Sequence, residues 1–332
     1  MLITFLVGWA VLSTAALSLA GHRQVSRVAY VSPGVPMAPL WITAEAGYFR
    51  EVGLKAEMLF IQASSTGIQS LLSGEIDYVM VGAAPVVMAN LQGADIAMIA
   101  TTIPTMIFSV VVAPEIQRIE DIKGKTLGFG RFGTNSDFAA RLLLEKYQLT
   151  PGKDVFLVQT GGATASLAAL RNGYVKAAVM TDVTMLDAKK FGFKELLAFK
   201  DLGFPFSHNG FAAKRSFLRE HEAETVNFLH AASKGIYRML TDREFSIRVI
   251  QKYSRLEDKG IIEGSYEAHA GRFLQKLPYT TPAMIQTVLR HLSETVPAAQ
   301  NANPAHFFDN RYIQALEQKG LYRELDKKLK GG

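Results

Sequence analysis

The sequence contains no cysteine among its 332 residues. This excludes disulfide bonds, thiolate metal sites, a cysteine nucleophile and the lipid-modified cysteine of a bacterial lipoprotein. Concentrated positive charge is also missing, because the net charge of +6 comes from 36 basic and 30 acidic side chains spread along the chain. Proteins that bind nucleic acids usually carry a basic stripe, so we expect no nucleic-acid partner.

Long hydrophobic runs are confined to the start of the chain. The first twenty residues, MLITFLVGWAVLSTAALSLA, carry no charge, and Ser18 and Ala20 are the small residues that signal peptidase prefers. We therefore predict a signal peptide over residues 1–20, cleavage before Gly21 and a periplasmic mature protein. Because no Lys or Arg precedes the apolar stretch, an uncleaved membrane anchor stays open as an alternative. Later apolar runs are broken by polar residues and proline and predict no membrane span.

Motifs that carry catalysis are missing as well. The histidines have no metal-ligand spacing such as HExxH. The GFGRFG stretch that ends at Gly133 lacks the acidic residue that a dinucleotide-binding fingerprint needs about twenty positions later. No nucleophile, base and orienting acid stand at a motif spacing. We therefore predict a protein that is not an enzyme and holds no metal or cofactor.

The remaining sequence alternates short β-type runs with helical runs, which is typical of an α/β protein with mainly parallel sheets. From about Ser216 onward the pattern changes to amphipathic helices, and Pro282 directly after Thr281 suits the first turn of one of them. We expect these C-terminal helices to pack against the rest. The predicted strands cover residues 27–31, 55–61, 78–81, 96–100, 108–113, 126–130, 155–159, 177–180, 195–199 and 210–213.

One stretch of the chain recurs 99 residues later. Residues 68–87, IQSLLSGEIDYVMVGAAPVV, align with residues 167–186, LAALRNGYVKAAVMTDVTML, when Gly74 is matched to Gly173. Each copy reads as a helix that ends near a glycine, a buried strand and a small-residue loop that opens another helix. Any two βα units share part of this pattern, so the alignment alone does not decide that it is a repeat. Small and hydroxyl residues at strand C-termini, where open α/β sheets bind ligands, favour two similar lobes.

Several longer motifs follow one another along the chain: PLWITAEAGYFREVGLKAEM, GIQSLLSGEIDYVMVGAAP, IKGKTLGF and GTNSDFAARLLLEKYQL. In this order they resemble the periplasmic solute-binding proteins of the nitrate, sulfonate and taurine class of ABC importers. The resemblance covers about residues 28–240. It implies a type II periplasmic binding protein fold, in which two α/β lobes joined by two hinge strands close on a small molecule.

The resemblance also implies how the chain is divided. The first lobe is expected to hold residues 24–112 and 211–330, with the C-terminal helices, and the second lobe residues 113–210. The crossovers between the lobes are expected near residues 108–113 and 210–214. The repeat is then explained, because the two sides of a clamp need equivalent loops that face the ligand.

The partners implied by the resemblance are a small-molecule ligand, a membrane permease and its ATPase, with the binding protein itself a monomer. Two alternatives stay open. The lobes could sense a solute for a membrane partner instead of feeding a permease. The chain could also be a relative of a pyrimidine-forming enzyme of thiamine synthesis, which shares the fold but depends on a cysteine-rich segment that is absent here.

The ligand site is expected where helices begin at the edges of the two lobes. Helix N-termini present unpaired N–H groups and positive dipole ends, and small side chains let a ligand approach the backbone. These features favour a small organic anion such as a sulfonate, a taurine-like compound or nitrate. The candidate ligand-binding residues are Ala38, Pro39, Ser64, Ser65, Thr66, Gly82, Ala83, Ala84, Arg131, Thr134, Asn135, Ser136, Gly162, Ala163, Thr164, Thr181 and Asp182.

Each candidate also has a structural interpretation. The Ser and Thr residues could be ordinary N-caps, and Arg131 could be a solvated loop residue. A neutral heterocycle or an amine-bearing solute beside Asp182 competes with the anion, and the identity of the solute stays open. Trp41 and Tyr48 are predicted to be core residues, and His208 a hinge or surface residue.

Overall fold

The computed structural model describes residues 25–330, so the predicted signal peptide at 1–20 lies outside the described residues. Within this range ten strands form two five-stranded sheets. The strands are β1 (Ser26–Tyr30), β2 (Ala56–Phe60), β3 (Tyr78–Val81), β4 (Ile96–Thr105), β5 (Phe108–Val112), β6 (Lys125–Phe129), β7 (Val155–Gln159), β8 (Ala177–Thr181), β9 (Lys194–Ala198) and β10 (Pro205–Lys214).

The α-helices of the described range fall between these strands and after the last one. Those that follow the strands of the two sheets are α1 (Ala38–Glu45), α2 (Tyr48–Glu51), α3 (Ser64–Ser73), α4 (Ala83–Leu91), α5 (Asn135–Lys146), α6 (Ala163–Arg171) and α7 (Asp182–Lys190). The C-terminal helices are α8 (Arg215–Glu220), α9 (Glu222–Thr241), α10 (Arg243–Ser254), α11 (Lys259–Ala268), α12 (Pro282–Leu292), α13 (Arg311–Gln318) and α14 (Leu321–Lys330). As predicted, α12 begins with Pro282 directly after Thr281.

The two sheets have the same arrangement of strands. The first has the order β2-β1-β3-β10-β4 and the second the order β7-β6-β8-β5-β9. In both, three parallel strands are followed by one strand that runs antiparallel to its neighbours on either side. The strands of the two similar stretches, β3 and β8, take the same place in their sheets. The repeated sequence pattern therefore marks equivalent structural units.

The strands β4 and β10 connect the two sheets. They pair antiparallel, and Ile103 and Thr105 of β4 lie opposite Asn209 and Pro205 of β10. We call residues 101–105 and 205–209 the hinge strands. The chain passes into the second sheet between β4 and β5 and returns between β9 and β10.

The predicted crossovers at 108–113 and 210–214 are therefore displaced by a few residues. Strand β5 is paired on both sides within the second sheet, and residues 210–214 pair within the first. The sequence does not show where the chain passes from one sheet to the other, because residues 96–113 contain no Gly, Asn or Asp that would mark a turn. We propose lobes that comprise residues 25–105 with 205–330, and residues 106–204.

The hydrophobic core is divided between the sheets but is bridged by C-terminal helices. One cluster packs α1 and α9 against the first sheet, and Trp41 is fully buried in it, which confirms its prediction as a core residue. A second cluster lies on the second sheet and also includes Val87 of α4 and Val288 of α12. Helix α12 thus contacts elements of both lobes.

No helix in the described range is long and apolar enough to cross a membrane.

Candidate functional site

Five helices follow parallel strands of the two sheets and contribute most of the predicted ligand loops. Helices α3 and α4 follow β2 and β3 in the first sheet, and α5, α6 and α7 follow β6, β7 and β8 in the second. Parallel strands place their carboxyl ends at the same edge of a sheet, so the helix N-termini in each lobe line one edge. The loops predicted to bind ligand therefore lie at one edge of each sheet.

Contacts between the lobes show that the two edges face each other. The side chain of Gln62, in the loop before α3, approaches the carbonyl oxygen of Gly161, in the loop before α6, with 3.5 Å between Nε2 and O. Deeper in, the side-chain amide of Asn135, at the start of α5, donates to the backbone oxygen of His208 in a hinge strand, at 2.7 Å. The helix N-termini of the two lobes thus surround a shared interlobe site.

The floor of this site is formed where Gly82, Asn135 and His208 meet. A Cβ atom on Gly82 would lie 2.0 Å from Nδ2 of Asn135 and 2.4 Å from the oxygen of His208. Only a residue without a side chain fits this contact, since a real Cβ never comes so close to a backbone oxygen. Asn135 is 7% exposed and His208 6% exposed, so both residues of the floor are buried.

The loop before α5 uses its polar side chains to hold its own shape. The hydroxyl of Thr134 donates to the oxygen of Arg131 at 2.7 Å, and the hydroxyl of Ser136 accepts from the N–H of Gly130 at 3.0 Å. Asp137 accepts from the N–H of Gly133 at 3.0 Å. Thr134 forms no side-chain N-cap of α5, and ligand contact by these hydroxyls stays a prediction. Their effect is to orient the backbone at the start of α5.

The remaining predicted site residues differ in exposure. Those at the start of α3 are half-exposed, Thr164 of α6 is exposed, and Arg131 is half-exposed. The hydroxyl of Thr181, the last residue of β8, lies 3.4 Å from that of Thr184 in α7. The side chain of Asp182 lies outside the described residues. The half-exposed members of the set also include Gly162 and Ala163, beside Ser64, Ser65 and Thr66 at the start of α3. The buried members are Ala38, Pro39, Ala83 and Ala84.

Pro39 has a clear structural partner. Its carbonyl oxygen accepts a hydrogen bond from Thr43 at 2.6 Å, and the same oxygen lies against Gly235 of α9. This places the Pro39 backbone in the packing between α1 and α9. Its contact with a ligand remains a prediction.

Two residues at the interlobe site, Gln62 and His208, were not among the predicted ligand-binding residues. Gln62 stands between a strand end and a helix start, which is the signal that could have found it. His208 was expected at the hinge or on the surface, and the structure places it in the hinge strand of β10, with its ring 4.7 Å from that of Phe108. Burial, with a smaller contribution from His269, lowers the pKa of His208 to about 3, so the imidazole is neutral at physiological pH.

A second set of interlobe contacts lies between α7 and α11. Lys190 of α7 forms an ion pair with Asp258, the residue that caps α11, and lies 4.0 Å from Asp187 on its own helix. Val183 of α7 packs in the hydrophobic cluster of the first lobe. These contacts join the second lobe to the C-terminal helices at the side of the site.

A cavity of about 730 Å³ adjoins the site on the flank of the molecule. It runs along α4 and α5 to the end of α12, and it includes Ala84, Gly133 and Thr134 from the predicted set. Its other walls are the sides of these helices, including Met88, Phe138 and Leu292, rather than their N-termini. The flank cavity is therefore distinct from the space between the facing loops.

Metal binding has no support in this geometry. No group of three or more His, Asp or Glu side chains in residues 25–330, as far as their side chains are described, is arranged to hold a metal ion. The site offers helix N-termini, backbone N–H groups and neutral polar side chains. Helix N-termini of this kind can bind an anion through hydrogen bonds from their backbone N–H groups.

Known structures share this architecture. A protein of Bordetella bronchiseptica RB50 superposes with a TM-score of 0.80 at 18% identity, covering 90% of this chain and 98% of that one. The periplasmic aliphatic sulphonate binding protein SsuA of Escherichia coli superposes with a TM-score of 0.69 at 21% identity, covering 86% and 92%. These likenesses establish the periplasmic binding protein fold.

Sequence comparison gives a consistent result. YtlA of Bacillus subtilis (strain 168), by name a candidate binding protein, is 25% identical over 220 residues. The match spans 64% of this chain and 64% of YtlA, which is less than two thirds of the relative's length. The model of the family described as NMT1/THI5 like matches residues 36–244, and the chain belongs to this family.

Proposed function

We propose that this protein is the substrate-binding component of an ABC importer, which captures a small solute between two lobes and delivers it to a membrane permease with its ATPase. The observation that carries the proposal is the pair of equivalent sheets whose helix N-termini face each other across two hinge strands. A clamp of this kind closes around a ligand by bending at the strands that connect its lobes.

The proposed solute is a small organic anion. Helices α3, α4, α5 and α6 all begin at the interlobe site, so their positive dipole ends converge there. The half-exposed Arg131 stands in the loop before α5 and can reach toward an anion. The structural relative from Escherichia coli is named for aliphatic sulphonates, which supports the same class of ligand.

The proposed location is the periplasm, with the monomeric protein free of the membrane after cleavage of residues 1–20. The charge-free apolar start and its small-residue end support export. N-terminal sequencing of protein recovered from a periplasmic fraction should begin at Gly21. An intact Met1 in the membrane fraction would replace this proposal with an anchored receptor.

Ligand-induced stabilisation tests the proposed capture. The probes are ethanesulfonate, butanesulfonate and nitrate, with the neutral diethyl sulfone and the cationic ethylammonium as matched compounds. A ligand at a hundredfold excess over its Kd should stabilise the protein by about 2.7 kcal/mol. We expect stabilisation by at least one anion and by neither matched compound.

The outcomes separate the parts of the proposal. Stabilisation by the cation or by the sulfone, without any by the anions, would overturn the anionic ligand. An anion that binds equally well to wild type and to the double variant Ser65→Ala/Arg131→Ala would place the ligand outside the interlobe site. Ser73→Ala, at an exposed position at the end of α3, is the control for a surface hydroxyl.

A further inference from the structure

The floor of the interlobe site contains a side-chain oxygen that lacks a hydrogen-bond partner. Asn135 is held by donation from Nδ2 to the backbone oxygen of His208, at 2.7 Å. The Oδ1 atom of the same amide is buried and accepts from no donor in the described part of the chain. The amide cannot be reversed, because the His208 carbonyl only accepts. The hydrogen bond from Nδ2 to His208 therefore fixes the position of the unpaired Oδ1.

An orphaned acceptor at this position is costly. A buried polar group without a partner loses its hydration and costs about 1–3 kcal/mol. Asn135 lies at the first turn of α5, a helix of twelve residues, in contact with Gly82 of the opposite lobe. Because Asn135 lies between the lobes, a group that enters with the solute is in a position to satisfy it.

The residues around Asn135 indicate which kind of hydrogen-bond donor a solute could present to its Oδ1. His208 has an imidazole nitrogen, Nδ1, that is also buried without a partner. Burial and His269 lower the pKa of His208, and no carboxylate among the described side chains contributes to this shift. Phe108 packs against the imidazole ring. An ammonium group placed here would lose its hydration without meeting an anion, whereas a neutral O–H or N–H would not carry that penalty.

We propose that the solute is a short organic anion with a neutral hydrogen-bond donor, such as a hydroxyl group, and that Asn135 determines this specificity by accepting from it. The inference rests on the proposed function, since it takes the solute to lie between the lobes. The anionic group is held at the helix N-termini, and the donor reaches the floor. Asn135 then discriminates against otherwise identical anions that lack the donor.

Three probes of the same chain length test the proposal: ethanesulfonate, 2-hydroxyethanesulfonate and 2-aminoethanesulfonate, with Kd measured by calorimetry. A site built to bond a hydroxyl rejects the analogue without it, because the protein's buried group is then left unpaired. We expect wild type to bind 2-hydroxyethanesulfonate at least about tenfold more tightly than either other probe.

Two variants assign the discrimination to Asn135. Asn135→Leu has a similar volume and no acceptor, so the ratio of the Kd values for ethanesulfonate and 2-hydroxyethanesulfonate should fall to about one. Asn135→Asp keeps an acceptor and adds a charge, but it loses the donation to the His208 oxygen, so it should weaken 2-aminoethanesulfonate less than the other two probes. Asn209→Leu is the matched control, because Asn209 is also a buried hinge asparagine whose Nδ2 donates to a backbone oxygen, that of Pro36 at 2.7 Å. It should weaken both probes and leave their ratio unchanged.

Each contrary result has a distinct meaning. Equal binding of ethanesulfonate and 2-hydroxyethanesulfonate to wild type overturns the inference and leaves the proposed function intact. Discrimination that survives in Asn135→Leu shows that another group meets the donor and overturns the role of Asn135. Failure of all three sulfonates and of nitrate to bind overturns the anion-binding function together with the inference. Since the first result needs only wild-type protein, the test does not depend on the variants folding.

Discussion

One hinge residue, His208, makes the stability of the protein depend on pH. His208 is a buried imidazole whose pKa lies at about 3 in the folded protein, against an ordinary value of 6.5. The unfolded chain therefore binds a proton near pH 6.5, while the folded chain binds it only near pH 3. The contribution of His208 to the free energy of unfolding is complete above pH 6.5 and is lost as the pH falls from 6.5 toward 3.

We predict that the free energy of unfolding depends less on pH in His208→Gln than in wild type. Because glutamine does not titrate, the free energy of unfolding should fall less between pH 6.5 and pH 4 than in wild type. Urea unfolding at a series of pH values measures the slope. His306→Gln, at an exposed histidine, is the control and should keep the wild-type slope. An unchanged slope in His208→Gln would show that the imidazole is hydrated or paired in solution.

Gly82 is the residue that lets the lobes approach at the floor. We predict that Gly82→Ala prevents the contact with Asn135, because the added Cβ meets Nδ2 at 2.0 Å and the His208 oxygen at 2.4 Å. Overpacking of this kind costs about 1–3 kcal/mol, which corresponds to about 5–150-fold in affinity if it falls on the closed state. Calorimetry with the probe anion measures the loss.

Gly162→Ala is the matched control for Gly82→Ala. Both glycines are N-caps of helices at the interlobe site, and neither has a positive φ in the left-handed region. A Cβ on Gly162 would have only an ordinary contact, 3.9 Å from Nε2 of Gln62. Its substitution should change affinity by less than about threefold. A similar loss in both variants would mean that glycine flexibility, not the floor contact, matters.

At the scale of elements, one helix pair is packed with almost no space between backbones. Gly235 of α9 faces α1, and a Cβ there would lie 2.0 Å from the hydroxyl of Thr43 and 2.7 Å from the oxygen of Pro39. This pair fixes the first helix of the first lobe to the C-terminal helices. The position of the loop that opens α1 depends on it.

We predict that Gly235→Ala destabilises the protein by about 1–3 kcal/mol through overpacking. Gly264→Ala in α11 is the control, since its Cβ would meet Cδ1 of Leu186 at an ordinary 3.6 Å. That change should stabilise by up to about 1 kcal/mol, because alanine favours the helix. Chemical unfolding compares the two variants. Equal effects would show that the α1–α9 contact relaxes without cost.

At the scale of the whole molecule, the C-terminal helices hold the closed arrangement at its side. The ion pair of Lys190 with Asp258 joins α7 of the second lobe to α11, while Asp187 is a partner on the same helix as Lys190. Both ends of the interlobe pair are about half-exposed. Exposed pairs contribute little to folding, about 0.2–1 kcal/mol, but this pair forms only when the lobes meet.

We predict that Asp258→Asn speeds release of a bound probe anion by about 1.4–5-fold, and that Asp187→Asn does not. The asparagine still offers an oxygen to the N–H of Ile261, so the cap of α11 is retained. Stopped-flow dissociation measures the rates, and thermal unfolding checks that stability is unchanged. Equal rates in Asp258→Asn and wild type would show that the pair is not part of the closed state.

Closure itself is the remaining expectation. A saturating probe anion should reduce the radius of gyration measured by solution scattering, because bending at residues 101–105 and 205–209 brings the two sheets together. An unchanged radius at saturation would argue for binding without a hinge motion.

Local patterns predicted most of the strands. Eight of the ten observed strands agree with the predicted ranges to within one residue at each end. The exceptions are β4 and β10, each of which extends beyond its prediction into the hinge. Those extensions, Thr101–Thr105 and Pro205–Asn209, read as loop because they contain Pro104, Pro205 and polar residues. Their pairing with each other supplies the hydrogen bonds that propensity alone does not.

The sequence by itself determined the alternation of strands and helices and the repeat around Gly74 and Gly173, and it predicted the loops that would hold a ligand. Each depends on residues close in the chain, where hydrophobic periodicity, glycine and helix starts act locally. Only the tertiary structure decided where the chain crosses between sheets and which side chains face each other. The floor of Gly82, Asn135 and His208 joins positions up to 126 residues apart, and its orphaned oxygen exists only because two separately folded edges meet there.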